Sequence, residues 1–104
     1  MWYVIWMEGT TDETQAKRIQ TRPQHLQRLV ELQRQARLLV AGPLPAIDKA
    51  DPGEFGFQGG LMIVHFDSLK EAQTWAETDP YWTQGVYTRL VVKPFNKTFP
   101  DDTH

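Results

Sequence analysis

The chain has 104 residues, of which 40% are hydrophobic and 23% charged, and its formal net charge is −2. This length fits one domain, and a balance of 11 basic and 13 acidic residues lacks the basic excess typical of proteins that bind nucleic acid or anionic membranes. The absence of cysteine excludes a disulfide framework and thiol catalysis, and it favours a cytoplasmic protein. Residues 1–7 contain no basic region and begin no long apolar stretch, so we expect neither export nor membrane insertion.

The first predicted element is a strand over residues 2–8, because this run is short and rich in aromatic and β-branched side chains. Both faces of the strand are apolar, whereas a half-exposed strand would alternate with polar residues. Residues 10–20 are polar and predict a loop with a short helical turn. Thr21 and Gln24 have the spacing of a capping box, which predicts a first helix from there to about residue 36 with Arg28 on its outer surface.

The rest of the chain predicts three further strands, a second helix and one short helical turn. Residues 43–60 are rich in glycine and proline and predict a long irregular connection, which we expect to lie over a cleft because such loops commonly carry function. The predicted elements are strands over residues 38–41, 61–66 and 86–93, a helix over residues 68–78, and a short helical turn that starts at Asp79.

The predicted order βαββαβ corresponds to the ferredoxin-like arrangement, an α+β sandwich in which two helices cover one face of a four-stranded antiparallel sheet. The other face would then expose a larger apolar patch than soluble monomers usually tolerate. A second copy of the chain would cover it. We therefore expect a homodimer that pairs through the open face of the sheet.

The chain contains five short motifs with a joint spacing: Arg22-Pro-x-His25-Leu26, Gly42-Pro43, Asp51-Pro52-Gly53, Asp79-Pro80-Tyr81 with Gly85-Val86-Tyr87, and Val92-Lys93-Pro94-Phe95. Together they resemble the YciI family, and the resemblance runs from Tyr3 to Phe99. It implies a single domain over residues 1–99 and a ferredoxin-like fold that pairs as a dimeric α+β barrel. The tail, residues 100–104, extends beyond the pattern and is expected to be disordered.

The resemblance also implies a histidine and aspartate site, which falls by motif on His25 and Asp79, with Arg22 nearby on the same helix. Family relatives include enzymes that act on small aromatic ring compounds, such as dehydrochlorinases, and more distant relatives are muconolactone isomerases. Most YciI-like proteins have no assigned substrate.

The residues themselves support His25 as a proton-transfer group, since histidine titrates near neutral pH. The spacing of Arg22, His25 and Leu29 places His25 beside the buried stripe of the first helix. A half-buried histidine with a structural role would fit the same pattern. Asp79 immediately before proline is typical of a helix N-cap, and such a cap can also orient an imidazole. We expect the two side chains to lie within hydrogen-bond reach, in a concave site lined partly by Tyr81 and Pro43.

Arg22 is a candidate for binding a substrate carboxylate, and a backbone amide near Gly42 is a second candidate for holding an anionic group. Arg22 could equally be a solvated charge or a partner of Asp79. No glycine-rich segment has the spacing of a phosphate-binding loop. His25 and Asp79 provide only two of the three or four ligands that a metal site needs. We therefore expect no metal site and no cofactor.

Two functions remain open from the sequence. In the first, the chain is a cofactor-free enzyme that eliminates a group from, or isomerises, a small aromatic or lactone-type substrate by acid–base catalysis. In the second, the same fold is a small-ligand-binding or interaction module that turns nothing over.

Overall fold

The computed structural model describes residues 1–101. It contains four strands, three α-helices and one short 3₁₀ turn. The strands are β1 (Trp2–Glu8), β2 (Leu38–Pro45), β3 (Phe57–His65) and β4 (Arg89–Phe95), the helices are α1 (Thr14–Arg34), α2 (Leu69–Glu77) and α3 (Pro80–Thr83), and the 3₁₀ turn is Gly53–Phe55.

The strands form one antiparallel sheet in the order β2-β3-β1-β4. The alternate side chains of β1 that face the helices, Tyr3, Ile5 and Met7, are 4%, 0% and 1% exposed. They belong to a core cluster that also contains residues of β3, α1 and α2. The helices therefore cover one face of a four-stranded sheet, and the predicted α+β ferredoxin-like fold is confirmed.

The face of the sheet away from the helices is apolar at its centre. Trp2, Val4 and Trp6 are only half buried there. Val4 lies directly between Ile63 of β3 and Lys93 of β4. The two-sided apolar pattern of β1 thus corresponds to one covered face and one open face within a single chain.

Helix α1 begins at Thr14, so the predicted loop over residues 10–20 and the capping box at Thr21 are both wrong. The Thr14 hydroxyl accepts a hydrogen bond from the Thr11 amide (2.7 Å) and donates one to the Val86 carbonyl (3.1 Å), which fixes the true start of the helix. Pro23 lies inside the helix although proline removes a backbone donor there. Tertiary contacts of the polar first half of the helix outweigh this local penalty.

Strands β2 and β3 extend further than predicted, and the irregular connection shrinks to residues 46–56. β2 runs through Gly42 and Pro43 because it is an edge strand, where a missing N–H breaks no ladder on the solvent side. The other edge strand, β4, likewise contains Pro94 and starts at Arg89 instead of residue 86. The expected disorder of residues 100–104 is not tested, since residues 102–104 lie outside the described part of the chain.

Candidate active site

Asp79 is the N-cap of α3 and is completely buried. Its backbone is extended, and its Oδ1 atom accepts a hydrogen bond from the Tyr81 amide at 2.9 Å. Pro80 occupies the first helical position, where the lack of an N–H costs nothing. The N-cap that the Asp-Pro pair predicted is therefore confirmed, and it fixes the position of a buried carboxylate.

His25 reaches this carboxylate from α1. Its Nδ1 atom lies 2.9 Å from both Oδ1 and Oδ2 of Asp79, and the residue is 7% exposed. The expected contact between the two side chains is confirmed. The imidazole also stacks on the Tyr81 ring, with 4.0 Å between ring centroids and an interplanar angle of 19°, so its orientation is fixed from two sides.

Arg28 is a third member of this network, which the sequence analysis missed. Its Nη1 donates to Oδ2 of Asp79 (3.2 Å) and to the Trp75 carbonyl (3.0 Å), and its Nη2 donates to the Thr78 hydroxyl (3.1 Å). The guanidinium also lies 4.2 Å from the centre of the Trp75 ring. Arg28 therefore does not lie free on the outer surface, and Arg28 instead of Arg22 is the arginine that pairs with Asp79.

The network assigns the imidazole tautomer. The Asp79 carboxylate accepts from the Tyr81 amide and from Arg28, so it acts as an acceptor towards His25 as well, and the His25 proton lies on Nδ1. In the neutral imidazole the lone pair then lies on Nε2, which makes no hydrogen bond to any residue between 1 and 101. A histidine held in this way presents a base at Nε2.

A cavity of about 200 Å³ lies beside His25, between α1 and the ends of β2 and β3. Five of the six predicted site residues line it, while Asp79 lies behind the imidazole. From the predicted connection over residues 43–60, the residues that line the cavity are Pro43 of β2 and Gly59 and Gly60 of β3. The segment that is irregular in the structure, residues 46–56, does not line it. The lining residues are Met7, Arg18, Arg22, His25, Leu26, Leu29, Ala41, Gly42, Pro43, Gly59, Gly60, Leu61, Met62, Tyr81 and Tyr87.

Two tyrosines form one wall of the cavity, and Tyr87 was not among the predicted site residues. Tyr81 and Tyr87 meet edge to face, with ring centroids 5.6 Å apart. Burial raises the pKa of Tyr81 to about 12, against the opposing effect of the Arg18 and Arg22 charges. Burial likewise raises the pKa of Tyr87, opposed by the Arg18 charge. Both hydroxyls therefore stay protonated at neutral pH.

Arg18 is another lining residue that sequence reasoning missed, because residues 10–20 were predicted to be a loop. In the structure the buried residues of α1 are Thr14, Arg18, Thr21, His25 and Leu32, which recur at intervals of three, four and seven. This periodicity is helical. The sequence shows this periodicity only if polar residues are counted as part of the buried face of the helix.

Residues 1–101 contain no cluster of three or more His, Cys, Asp or Glu side chains that could hold a metal ion. None of the helices in this part of the chain combines the length and the apolar character that a membrane crossing requires.

Comparison with known proteins identifies relatives along nearly the whole chain. A family model described as the YCII-related domain matches residues 1–96. The chain is 50% identical over 99 residues to "Protein YciI" of Escherichia coli O6:H1 (strain CFT073), which covers 95% of this chain and 100% of that protein. An uncharacterized protein of Haemophilus influenzae is 48% identical over the same length, with the same coverage.

A solved structure shares the fold. It is 5-chloro-2-hydroxyhydroquinone dehydrochlorinase (TftG) from Burkholderia phenoliruptrix AC1100, in complex with 2,5-dihydroxybenzoquinone. The TM-score is 0.77, the sequence identity is 23%, and the match covers 92% of this chain and 94% of the other. This likeness establishes a common fold.

Proposed function

This chain belongs to the YCII-related domain family, and from that premise we propose that it is a small-molecule enzyme in which His25 and Asp79 act as an acid–base pair. The observation that carries the proposal is the 2.9 Å contact between His25 Nδ1 and the buried Asp79 carboxylate, which leaves Nε2 available on the side of the cavity. Arg28 and the Tyr81 amide hold the carboxylate in place.

In this mechanism His25 Nε2 removes a proton from the bound substrate. The electron pair of the broken bond forms a new double bond, and in an elimination the leaving group departs with its own electron pair. In an isomerisation the imidazolium returns the proton to a different carbon. Asp79 stabilises the imidazolium while it exists. These steps move a proton and electron pairs within the substrate, so they call for no redox cofactor.

The cavity indicates the size of the substrate. A cavity of about 150 Å³ accommodates benzene in an engineered protein, so a volume of about 200 Å³ suits one ring with one or two substituents. The structural neighbour is a dehydrochlorinase that binds a single-ring quinone. We therefore favour a small aromatic or lactone-type substrate.

The test is turnover of a panel of single-ring phenols, quinols and lactones that includes 5-chloro-2-hydroxyhydroquinone. Chloride release reports elimination, and deuterium uptake from D₂O reports proton transfer at carbon. We expect His25→Ala to lower kcat by about 10²- to 10⁴-fold, the usual contribution of general acid–base catalysis. Gln27→Ala, an exposed position on the same helix, is the matched control and is expected to keep wild-type activity.

Two outcomes would overturn the proposal. Full activity of His25→Ala on a compound that the wild type turns over would remove the histidine from the chemistry. Saturable binding of ring compounds without chloride release or deuterium uptake from any of them would favour the alternative function, a small-ligand-binding module.

We further propose that the protein is a homodimer that pairs through the open face of its sheet. The apolar residues of β1 on that face support the proposal, because stable interfaces bury about 800 Å² per partner around an apolar centre. The cytoplasmic location expected from the sequence also stays a prediction, which cell fractionation would test.

A further inference from the structure

Arg18 is a buried cation without a counter-charge. The residue is 9% exposed, and its Nε atom is buried with no hydrogen-bond partner. Within residues 1–101 no carboxylate lies at ion-pair distance from its guanidinium, which instead sits over the Phe57 ring at 4.3 Å from the centroid. Buried arginines are normally paired, because removing a charge from water without compensation is costly.

The surroundings of Arg18 in the cavity do not supply the missing negative charge. No aspartate or glutamate lines the cavity, and its charged lining residues are Arg18 and Arg22, with His25 titratable. Tyr81 and Tyr87 stay neutral, since burial raises the pKa of each phenol. Both charged side chains that line the cavity are therefore positive, which favours an anionic ligand there.

The rest of the lining is suited to a ring. Leu26, Leu29, Met7 and Met62 contribute apolar side chains, and the cavity volume matches one ring with a small substituent. A guanidinium presents parallel N–H donors that fit the two oxygens of a carboxylate. Arg18 and His25 are seven residues apart on one face of α1, two helical turns apart, so both can contact one small ligand.

We propose that Arg18 is the anion-binding residue of this site and that the ligand is a single-ring carboxylate, with its carboxylate on Arg18 and its ring extending towards His25. Tyr87 lines the same cavity, and its hydroxyl donates to the Gly59 carbonyl at 3.4 Å. Arg22 is more exposed at the same cavity and adds long-range attraction. The inference specifies the substrate class of the enzyme proposed above and rests on that proposal.

The experiment compares benzoate with benzamide, which has the same ring and shape but no charge. Calorimetric titration of the wild-type protein should show benzoate binding at least tenfold more tightly than benzamide. Arg18→Gln should lower benzoate affinity at least tenfold, since the charged hydrogen-bonded pair between the guanidinium and the benzoate carboxylate is lost. It should leave the affinity for benzamide, which has no carboxylate, unchanged. Arg34→Gln, at an exposed position of the same helix, should behave as the wild type.

Arg18→Lys keeps the charge without the paired donors and should bind benzoate with an intermediate affinity. It also carries the test if circular dichroism shows that Arg18→Gln is unfolded, because a benzoate affinity equal to that of the wild type would then refute the inference. Equal or undetectable binding of both ligands by the wild type, or an unchanged benzoate affinity in folded Arg18→Gln, would also refute it.

The His25 variant separates this inference from the proposed function. His25→Ala should retain the preference for benzoate and lose turnover. If it retains turnover while benzoate binding still depends on Arg18, the acid–base proposal fails and the anion site stands. If turnover depends on His25 but benzoate affinity is the same with and without Arg18, the anion site fails and the acid–base proposal stands.

Discussion

Replacing Asp79 with alanine removes the acceptor for three donors at once, and we expect it to lower the free energy of unfolding by about 3–5 kcal/mol. The donors are the Tyr81 amide, His25 Nδ1 and Arg28 Nη1. Loss of an N-cap alone costs about 1 kcal/mol, and a hydrogen bond to a charged group contributes about 1.5–3 kcal/mol. The total loss is smaller than the sum of these contributions, because Arg28 keeps its hydrogen bonds to the Trp75 carbonyl and the Thr78 hydroxyl.

The assay is urea unfolding followed by fluorescence of the four tryptophans, at one fixed protein concentration because association would change the apparent stability. Asp79→Asn separates the cap from the charge. Asparagine caps a helix as well as aspartate does, so this variant should lose only about 1–3 kcal/mol.

Asp48→Ala provides a matched control at an exposed position, where we expect a change within about 0.5 kcal/mol. If Asp79→Ala were as stable as Asp48→Ala, the buried network around Asp79 would not contribute to folding, and the reasoning from its contacts would be wrong.

Two further predictions concern the dimer and the buried tyrosine. Val4→Glu places a carboxylate opposite Lys93 on the open face, which a single chain tolerates but an apolar interface does not. Light scattering of this variant should therefore give the 12.1 kDa monomer mass. The wild type and the exposed-site control Ile19→Glu should give twice that mass. A wild-type monomer at micromolar concentration would contradict the proposed pairing. Burial raises the pKa of Tyr81 to about 12, against 10.0 for the free group. The stability that Tyr81 contributes through this raised pKa is therefore complete below pH 10 and is lost between pH 10 and 12, by about 3 kcal/mol. Tyr81→Phe should lack that part of the alkaline loss, and an identical alkaline profile for both proteins would show that the raised pKa does not stabilise the fold.

The order of elements could be predicted from the sequence because each strand is a short apolar run and each long helix has an apolar stripe in at least part of its length. The ends of the helices and strands could not be predicted from the sequence where tertiary contacts determine them. Thr14 starts α1 through a bond to the distant Val86 carbonyl, and Pro23 lies inside the helix despite its local preference. Pro43 continues β2 because the strand lies at the edge of the sheet, which no local pattern reveals.

The candidate site was predictable only in part, for a related reason. The Asp-Pro pair and the helical spacing of His25 are local signals, which identify each residue separately. The resemblance to a known family is what predicted that the two residues form one site. Arg18 and Arg28 are polar residues within helical segments, and such residues usually face solvent. Their roles depend on long side chains that reach Phe57 and Asp79 across the fold, so sequence spacing alone does not determine these contacts.

A structure with a turned-over substrate or its product bound tests the central claim most directly. The account predicts a ring in the cavity beside Tyr81, with the reacting atom or its proton within about 3.2 Å of His25 Nε2 and with Nδ1 still on the Asp79 carboxylate. A ligand that is bound outside this cavity, or with His25 Nε2 facing no reactive atom, would contradict the claim that this histidine performs the chemistry.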